Sequence, residues 1–189
     1  MANRLIIGVS GARAPALGLA LLHAVQSMPE TESHLVVATA ALVSGLAEDD
    51  FAKLADVTYP AADLGAAISS GSFRTAGMVI APCSLATVAA IASGNSADLV
   101  TRAADVCLKE RRRLVLVPDE SPWGLTDIQN LETITLAGGT ILPPVPAFYH
   151  QPETTADLLR HTTGKILDQF GLDHDLFTRW VGGDDDAAG

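Results

Sequence analysis

The sequence predicts a three-layer α/β domain built on a mainly parallel sheet, and three observations point there. Short continuous apolar runs of strand length, such as residues 4–9 (RLIIGV) and 114–118 (LVLVP), read as strands buried on both faces. Helical stretches separate these runs, so strand, turn, helix and strand recur as βαβ units, which place ligands at the carboxyl ends of the strands. The composition agrees: 48% hydrophobic but only 5% aromatic residues describe an Ala, Leu, Val and Ile core of helices packed closely on a sheet. At 189 residues the chain suits one such domain, expected over 1–181, with a polar, acidic tail at 182–189 expected to be disordered.

Taken in order, residues 4–9 break into Ser10-Gly11-Ala12-Arg13-Ala14-Pro15 ahead of a helix over 16–26. Pro15 suits the first helical turn, where no backbone N–H is needed. Such a turn can cradle a phosphate or a flavin edge, or be a tight βα turn with no ligand. Residues 32–38 (ESHLVVA) form a second strand, followed by a helix through Leu46 that ends near Glu48, Asp49 and Asp50. Residues 51–76, with Pro60 and the Ser69-Ser70-Gly71-Ser72 turn, predict a short helix and strand over the ligand edge. The run 78–82 (MVIAP) is the third strand of the main sheet. After it, Ser84 and Thr87 offer hydroxyls beside the free N–H groups of a helix start. Simple N-capping by Ser84 explains the same residues.

Beyond a small-residue helix, 97–113 predict a helix on which Arg102 and Lys109, seven residues apart, share one side. Arg111, Arg112 and Arg113 are expected to be solvated. The strand 114–118 ends in Asp119 and Glu120, the latter a general acid or base, the partner of Lys109, or both. A helix over 126–137, capped by Thr126 or Asp127, leads through Gly138-Gly139 to a short last strand at 140–142. Residues 143–152 (PPVPAFYHQP) are stiff and poor in backbone donors, and so suited to lining a pocket with Tyr149 and His150. An amphipathic helix over 154–170 completes the pattern, with 177–180 after a glycine-containing turn.

A net charge of −10 argues against nucleic acid, which needs a clustered basic face, but not against a phosphate ligand. Cys83 and Cys107 read as buried thiols of a reduced compartment. No basic leader precedes the first strand and no apolar run is long enough for a bilayer, so a soluble, cytoplasmic protein with no membrane partner is expected.

From RLIIGVSGA at Arg4 to DLFTRW ending at Trp180, the chain resembles the UbiX flavin prenyltransferases, most specifically in MVIAPCS, TRAADVCLKERRRLVLVP and ILPPVPAFYHQP. The resemblance implies a Rossmann-like (flavodoxin-like) fold and FMN bound between the subunits of a homo-oligomer, a dodecamer built from trimers. It implies transfer of a dimethylallyl group from dimethylallyl phosphate to FMN, through N5 with ring closure at C6. The prenylated FMN would serve a UbiD-type decarboxylase, with no metal involved. Residue by residue, Gly11 and Ala12 match the flavin-edge turn, Ser84 and Thr87 the FMN-phosphate turn, and Arg102 a flavin-contacting arginine. Lys109 and Tyr149 match groups on the prenyl phosphate, Glu48 and Glu120 the active-site acids with Glu120 relaying protons, and Trp180 a tryptophan near the prenyl pocket.

Four places depart from the family's pattern. Its first turn, GASG, is Gly11-Ala12-Arg13-Ala14 here; its Ser-Lys after the second strand is Ala38-Thr39; the arginine before Glu120 is Asp119; and an arginine of the last long helix is Lys165. Lys165 keeps the charge for the substrate phosphate but not the fork. Arg13 is expected to fill the missing arginine's space, pairing with Asp119 across the pocket mouth and helping to hold phosphate. The opposite reading has that pair plug the pocket, leaving a UbiX-like paralogue that serves as a binding or subunit-like protein. A flavin-dependent decarboxylase of the related cysteine-decarboxylase group is a third reading, opposed by APCSLAT in place of an Asn-containing turn.

Overall fold

Strand side chains alternate between two helical layers, and this alternation sorts the core. Ile6, Val36, Met78, Ile80, Leu114 and Leu116 face one layer. Leu5, Ile7, Leu35, Val79, Val115 and Val117 face the other. The computed structural model of the chain describes residues 3–38, 41, 47–180 and 182. Its elements are β1 (Asn3–Val9), α1 (Pro15–Gln26), β2 (Thr31–Val37), α2 (Glu48–Ala52), β3 (Val57–Pro60), β4 (Gly77–Cys83), α3 (Leu85–Ala92), α4 (Leu99–Lys109), β5 (Arg113–Pro118), α5 (Leu125–Leu136), β6 (Thr140–Ile141) and α6 (Thr155–Gln169).

The six strands form one sheet in the order β3-β2-β1-β4-β5-β6, and every neighbouring pair is parallel. This is the expected Rossmann-like architecture, with the strand order reversing between β1 and β4. The crevice at that switch point, beyond the strands' carboxyl ends, is where open α/β sheets bind ligands. Helices α1, α2 and α6 cover one face through Leu17, Leu21, Phe51, Ile166 and Leu167. Helices α3, α4 and α5 cover the other through Val88, Leu99, Ala103, Leu131 and Ile134.

Three expectations need correction. The run 78–82 belongs to the fourth strand of the sheet, because Val57–Pro60 joins the edge beside β2, in register from His34↔Val57 to Val37↔Pro60. Pro60 is tolerated there because an edge strand has no outer neighbour needing its N–H. Helix α5 is capped by Gly124, and Asp127 sits three residues in, its Oδ2 accepting the Gly124 N–H at 2.8 Å. Arg112 is not solvated: its guanidinium donates to the Phe73 carbonyl at 2.8 Å and also to the Gly71 carbonyl, tying the 70–73 turn to the end of α4. The predicted helix through Leu46 and the acidic tail beyond Gly182 lie outside the described residues.

The end of α4 carries an unusual residue. Arg112 N–H donates to the Cys107 carbonyl at 2.8 Å and Arg111 N–H to the Leu108 carbonyl at 3.1 Å, the paired bonds of a Schellman close. The residue between cap and strand is Arg111 at φ 57, a left-handed position that glycine occupies most cheaply. Cys83 and Cys107 are buried and unpaired. Burial pushes both thiols up, Cys107 to about 12, so neither is a ready thiolate.

Candidate active site

At the switch point, β1 and β4 end side by side. Ser10 and Gly11 donate their N–H groups to the Pro82 carbonyl at 3.0 Å, and Ser84 N–H donates to Ser10 Oγ at 3.3 Å. Ser84 then caps α3: its Oγ accepts the Thr87 N–H at 3.2 Å and lies 3.0 Å from Thr87 Oγ1. The capping reading is therefore realised, and the same hydroxyls also face a cavity. This cavity, about 440 Å³, is lined by Ser10, Ser84, Thr87, Asn95, Asp98 and Thr101, with Ala38, Ala61, Ala62, Ala86 and Ala90 leaving the room. Of the first three N–H groups of α3, Leu85 donates to Glu120 and Thr87 to Ser84, so among the described residues only Ala86 N–H is unclaimed. Hydroxyls converging on a helix start are the donor set a phosphate monoester requires, and the alanine walls admit a planar ring. The residues present fit FMN.

Glu120 lies just beyond β5, half-buried, with Oε1 accepting the Leu85 N–H at 2.8 Å while its carbonyl receives the Trp123 indole N–H at 2.7 Å. A second cavity of about 370 Å³ opens beside it, walled by Trp123 and by Pro143, Pro144, Val145 and Pro146, with Arg13, Asp119 and Glu120 at its polar end. Glu120 thus lines the second cavity while its carboxylate holds the start of α3, whose Ser84 and Thr87 hydroxyls line the first. The stiff 143–146 segment lines a pocket, as its composition predicted.

Asp119 and Arg13 do meet, but not as a charge pair. Asp119 Oδ2 accepts the backbone N–H of Arg13 at 2.9 Å and of Ala14 at 3.3 Å, and so caps α1, whose own N-cap residue Ala14 has no capping side chain. The Arg13 guanidinium makes no ion pair among the described residues and is exposed on the cavity rim. Gly11 owes its identity to this carboxylate: a Cβ at residue 11 would lie 2.5 Å from Asp119 Cγ and 2.6 Å from Oδ1.

Further along the chain, Tyr149, Lys165 and Trp180 come together around a third cavity of about 420 Å³ with His161, Asp168, Phe177 and Arg179. Tyr149 Oη lies 3.4 Å from His161 Nε2. The His161 ring stacks on His150 at 5.0 Å, and the Trp180 ring meets Tyr149 edge-on at 5.9 Å. Burial, with His150 alongside, holds His161 below the ordinary histidine range. Hydrogen bonds from the Arg179 guanidinium hold the Asp168 carboxyl below the usual carboxylate range.

The remaining sequence-predicted residues stand apart within one chain. Arg102 Nε donates to the Ser69 carbonyl at 3.2 Å and its Nη1 lies 3.4 Å from Asp105, so its guanidinium faces the 69–73 turn. Lys109, the last residue of α4, is exposed. Because α4 runs antiparallel to the strands, Lys109 sits where β5 begins, whereas Glu120 follows its end; six strand residues separate the two levels by about 20 Å. Lys109 is therefore not the intrachain partner of Glu120, whose place is taken by the Leu85 N–H. Glu48 is the first residue of α2 and Ala12 half-exposed in the first turn; neither lines the three cavities. Sequence reasoning passed over Ser10, His161, Asp168 and Arg179. The spacing of His161, Lys165 and Asp168, four and then three residues, is one helical face and was available as a signal.

Comparison with known proteins bears on this geometry. The Flavoprotein family model matches residues 2–160. A probable UbiX-like flavin prenyltransferase from Sedimentibacter hydroxybenzoicus is 47% identical over 188 residues, covering 97% of this chain and 100% of its own. The solved structure of the dodecameric FMN-dependent UbiX-like decarboxylase from Escherichia coli O157:H7 superposes with a TM-score of 0.91 at 46% identity, over 95% of this chain and 100% of that one. AnUbiX (PadA1), in complex with FMN and dimethylallyl pyrophosphate, superposes with a TM-score of 0.93 at 40% identity, over 97% and 100%.

Proposed function

The chain belongs to the flavoprotein family and, within it, to the UbiX-like flavin prenyltransferases, and we propose that it uses the crevice between β1 and β4 to bind FMN and the neighbouring cavity to prenylate it. It is a flavin prenyltransferase with FMN as cofactor, taking its dimethylallyl group from a dimethylallyl phosphate donor. A relative of 47% identity named for prenyl transfer favours this over the non-catalytic paralogue and the decarboxylase readings. The observation that carries the reading is the Ser10, Ser84 and Thr87 hydroxyl cluster at the start of α3, opening on a cavity of about 440 Å³.

In this reading Ser84, Thr87 and the Ala86 N–H hold the FMN phosphate, and the alanines of the cavity admit the ring. Reduced FMN, when bound, supplies the nucleophile for the allylic carbon. Trp123 and the 143–146 segment exclude water around the dimethylallyl group, which protects a reactive allylic centre from hydrolysis. Glu120, oriented by the Leu85 N–H, moves the proton released at the flavin edge. Tyr149, Lys165 and His161 receive the donor phosphate. Arg13 adds a cation on the rim, while Gly11 and Ala12 shape the turn. Arg102 and Lys109 belong to the site of a neighbouring subunit in a trimer-based dodecamer, which reconciles their resemblance to ligand-binding residues with their distance from Glu120. Glu48 is assigned with them as an acid of the shared site. A cytoplasmic UbiD-type decarboxylase would take the product.

The test is an FMN titration followed by absorbance and thermal shift, then reduced FMN with dimethylallyl phosphate and the product identified by mass. Ser84→Ala/Thr87→Ala should weaken FMN by about 30-fold, the loss of about 2 kcal/mol of charge-assisted hydrogen bonding, while riboflavin, which has no phosphate, is affected little. A wild-type chain that ignores FMN, or a double variant that binds it unchanged, would refute the assignment.

A further inference from the structure

Residues 172–180 are built onto α6 in a way that the chemistry described so far does not use. At the end of α6, Gly171 adopts φ 66 and Leu172 N–H donates to the Leu167 carbonyl at 3.2 Å, turning the chain back along the helix. Three groups then converge on one carboxylate. Arg179 forks Asp168, with Nη1 3.2 Å from Oδ2 and Nη2 2.8 Å from Oδ1. His174 Nε2 lies 3.2 Å from Oδ1 with its side chain 2% exposed, and Lys165 Nζ lies 3.8 Å from Oδ2. Leu176 N–H donates to His174 Nδ1 at 3.3 Å, and the Phe177 ring packs 4.6 Å from His161.

The helix itself is cut to receive this segment. Gly164 lies in the interior of α6, where glycine is a poor helix former. A Cβ there would lie 2.6 Å from His174 Cε1 and 2.7 Å from Phe177 Cδ1. The segment ends with Trp180 edge-on to Tyr149, closing the cavity that also holds Lys165 and His161.

We propose that Asp168 is a positioning residue: it latches residues 172–180 into the Gly164 notch of α6 and thereby fixes Trp180 and Tyr149 as one wall of the donor cavity. The inference rests on the assignment of that cavity to the prenyl phosphate donor. Asp168 lines the same cavity but acts through Arg179 and His174, whose hydrogen bonds and ion pairs occupy its carboxylate, and Lys165 Nζ lies 3.8 Å from its Oδ2. A fork from arginine gives direction as well as attraction, so lysine at 179 should substitute only in part.

The experiment compares the full chain with Asp168→Asn, Gly164→Ala, Arg179→Ala and Arg179→Lys. Hydrogen exchange over residues 172–180 is measured together with steady-state turnover of dimethylallyl phosphate and reduced FMN. In Asp168→Asn and Gly164→Ala, exchange over the segment should quicken about tenfold, which is about 1.4 kcal/mol of docking. KM for the donor should rise about tenfold with kcat within about threefold, the signature of lost ground-state positioning. Arg179→Lys should recover part of what Arg179→Ala loses in both readouts. Unchanged exchange in Asp168→Asn and Gly164→Ala overturns the latch, and faster exchange with an unchanged KM overturns its positioning role. If the wild type makes no product, the prenyl-transfer reading fails instead. The latch is then decided by whether dimethylallyl phosphate slows exchange over 172–180 in the wild type but not in Asp168→Asn; no slowing overturns it.

Discussion

Gly11 and Asp119 should behave as one unit, and a double-mutant cycle measures the coupling. Among the described residues Asp119 supplies the only side-chain cap of α1, through bonds of 2.9 and 3.3 Å to Arg13 and Ala14 N–H. Losing an N-cap costs about 0.5–2 kcal/mol. Part of that is offset here, because Asp119 Oδ1 is buried with no hydrogen-bond partner among the described residues and Asp119→Ala removes it. The net cost of Asp119→Ala should be about 1 kcal/mol, a fall in Tm of about 2–4 °C at this chain length. Gly11→Ala places a methyl 2.5 Å from Asp119 Cγ, so the carboxylate must leave and the cap is lost with added strain, about 2–3 kcal/mol in all. In the Asp119→Ala background the three atoms nearest that methyl are gone, and Gly11→Ala becomes neutral or stabilising by about 0.5 kcal/mol through the unfolded chain. The expected coupling is therefore about 2 kcal/mol or more. Urea unfolding of the four chains, followed by far-ultraviolet circular dichroism at one subunit concentration, reads it directly. Additivity within about 0.5 kcal/mol would show that Gly11 is not a glycine on account of Asp119.

Two further outcomes follow from the structure. Arg111→Gly should stabilise the chain by about 1 kcal/mol in urea unfolding, because residue 111 holds φ 57 at the close of α4; a loss of stability would mean that its side chain makes contacts worth more than the backbone strain. His34 is buried, with Nδ1 2.9 Å from Tyr59 Oη, and desolvation by burial, only partly opposed by Glu32, sets it below the ordinary value of 6.5. The unfolded chain therefore binds the extra proton first: stability is fully present above pH 6.5 and is lost as pH falls through the lower folded value, at no more than about 1.4 kcal/mol per unit. Unfolding free energies at pH 7 and pH 5 should fall more steeply for wild type than for His34→Gln, and equal slopes would exclude His34 as the source.

Much of the fold was legible because it rests on local signals. Continuous apolar runs such as RLIIGV and LVLVP are long enough for a strand and too short for a helix, and their alternation with helical segments forces parallel pairing. Capping was legible at Ser84, whose hydroxyl sits three residues ahead of the N–H group it accepts. It was misread at α5, where the glycine at 124 takes the cap and Asp127 reaches back to it, an arrangement that composition alone does not separate from capping by Asp127. The strand Val57–Pro60 was only partly legible: a four-residue edge strand ending in proline has too little pattern to stand out from a loop.

The sequence by itself determined the fold class, the ligand edge at the strands' carboxyl ends and the kind of groups there, because strand period, turn chemistry and helix starts are properties of neighbouring residues. Only the tertiary structure decided which of those groups meet. Asp119 faces backbone N–H groups 105 and 106 residues earlier rather than a guanidinium, Lys109 is separated from Glu120 by the length of β5, and Arg179 finds Asp168 because Gly164 lets the chain fold back onto α6. These are distances between elements. They are fixed by how the helices pack on the sheet, and side-chain identity along the chain does not encode them one residue at a time.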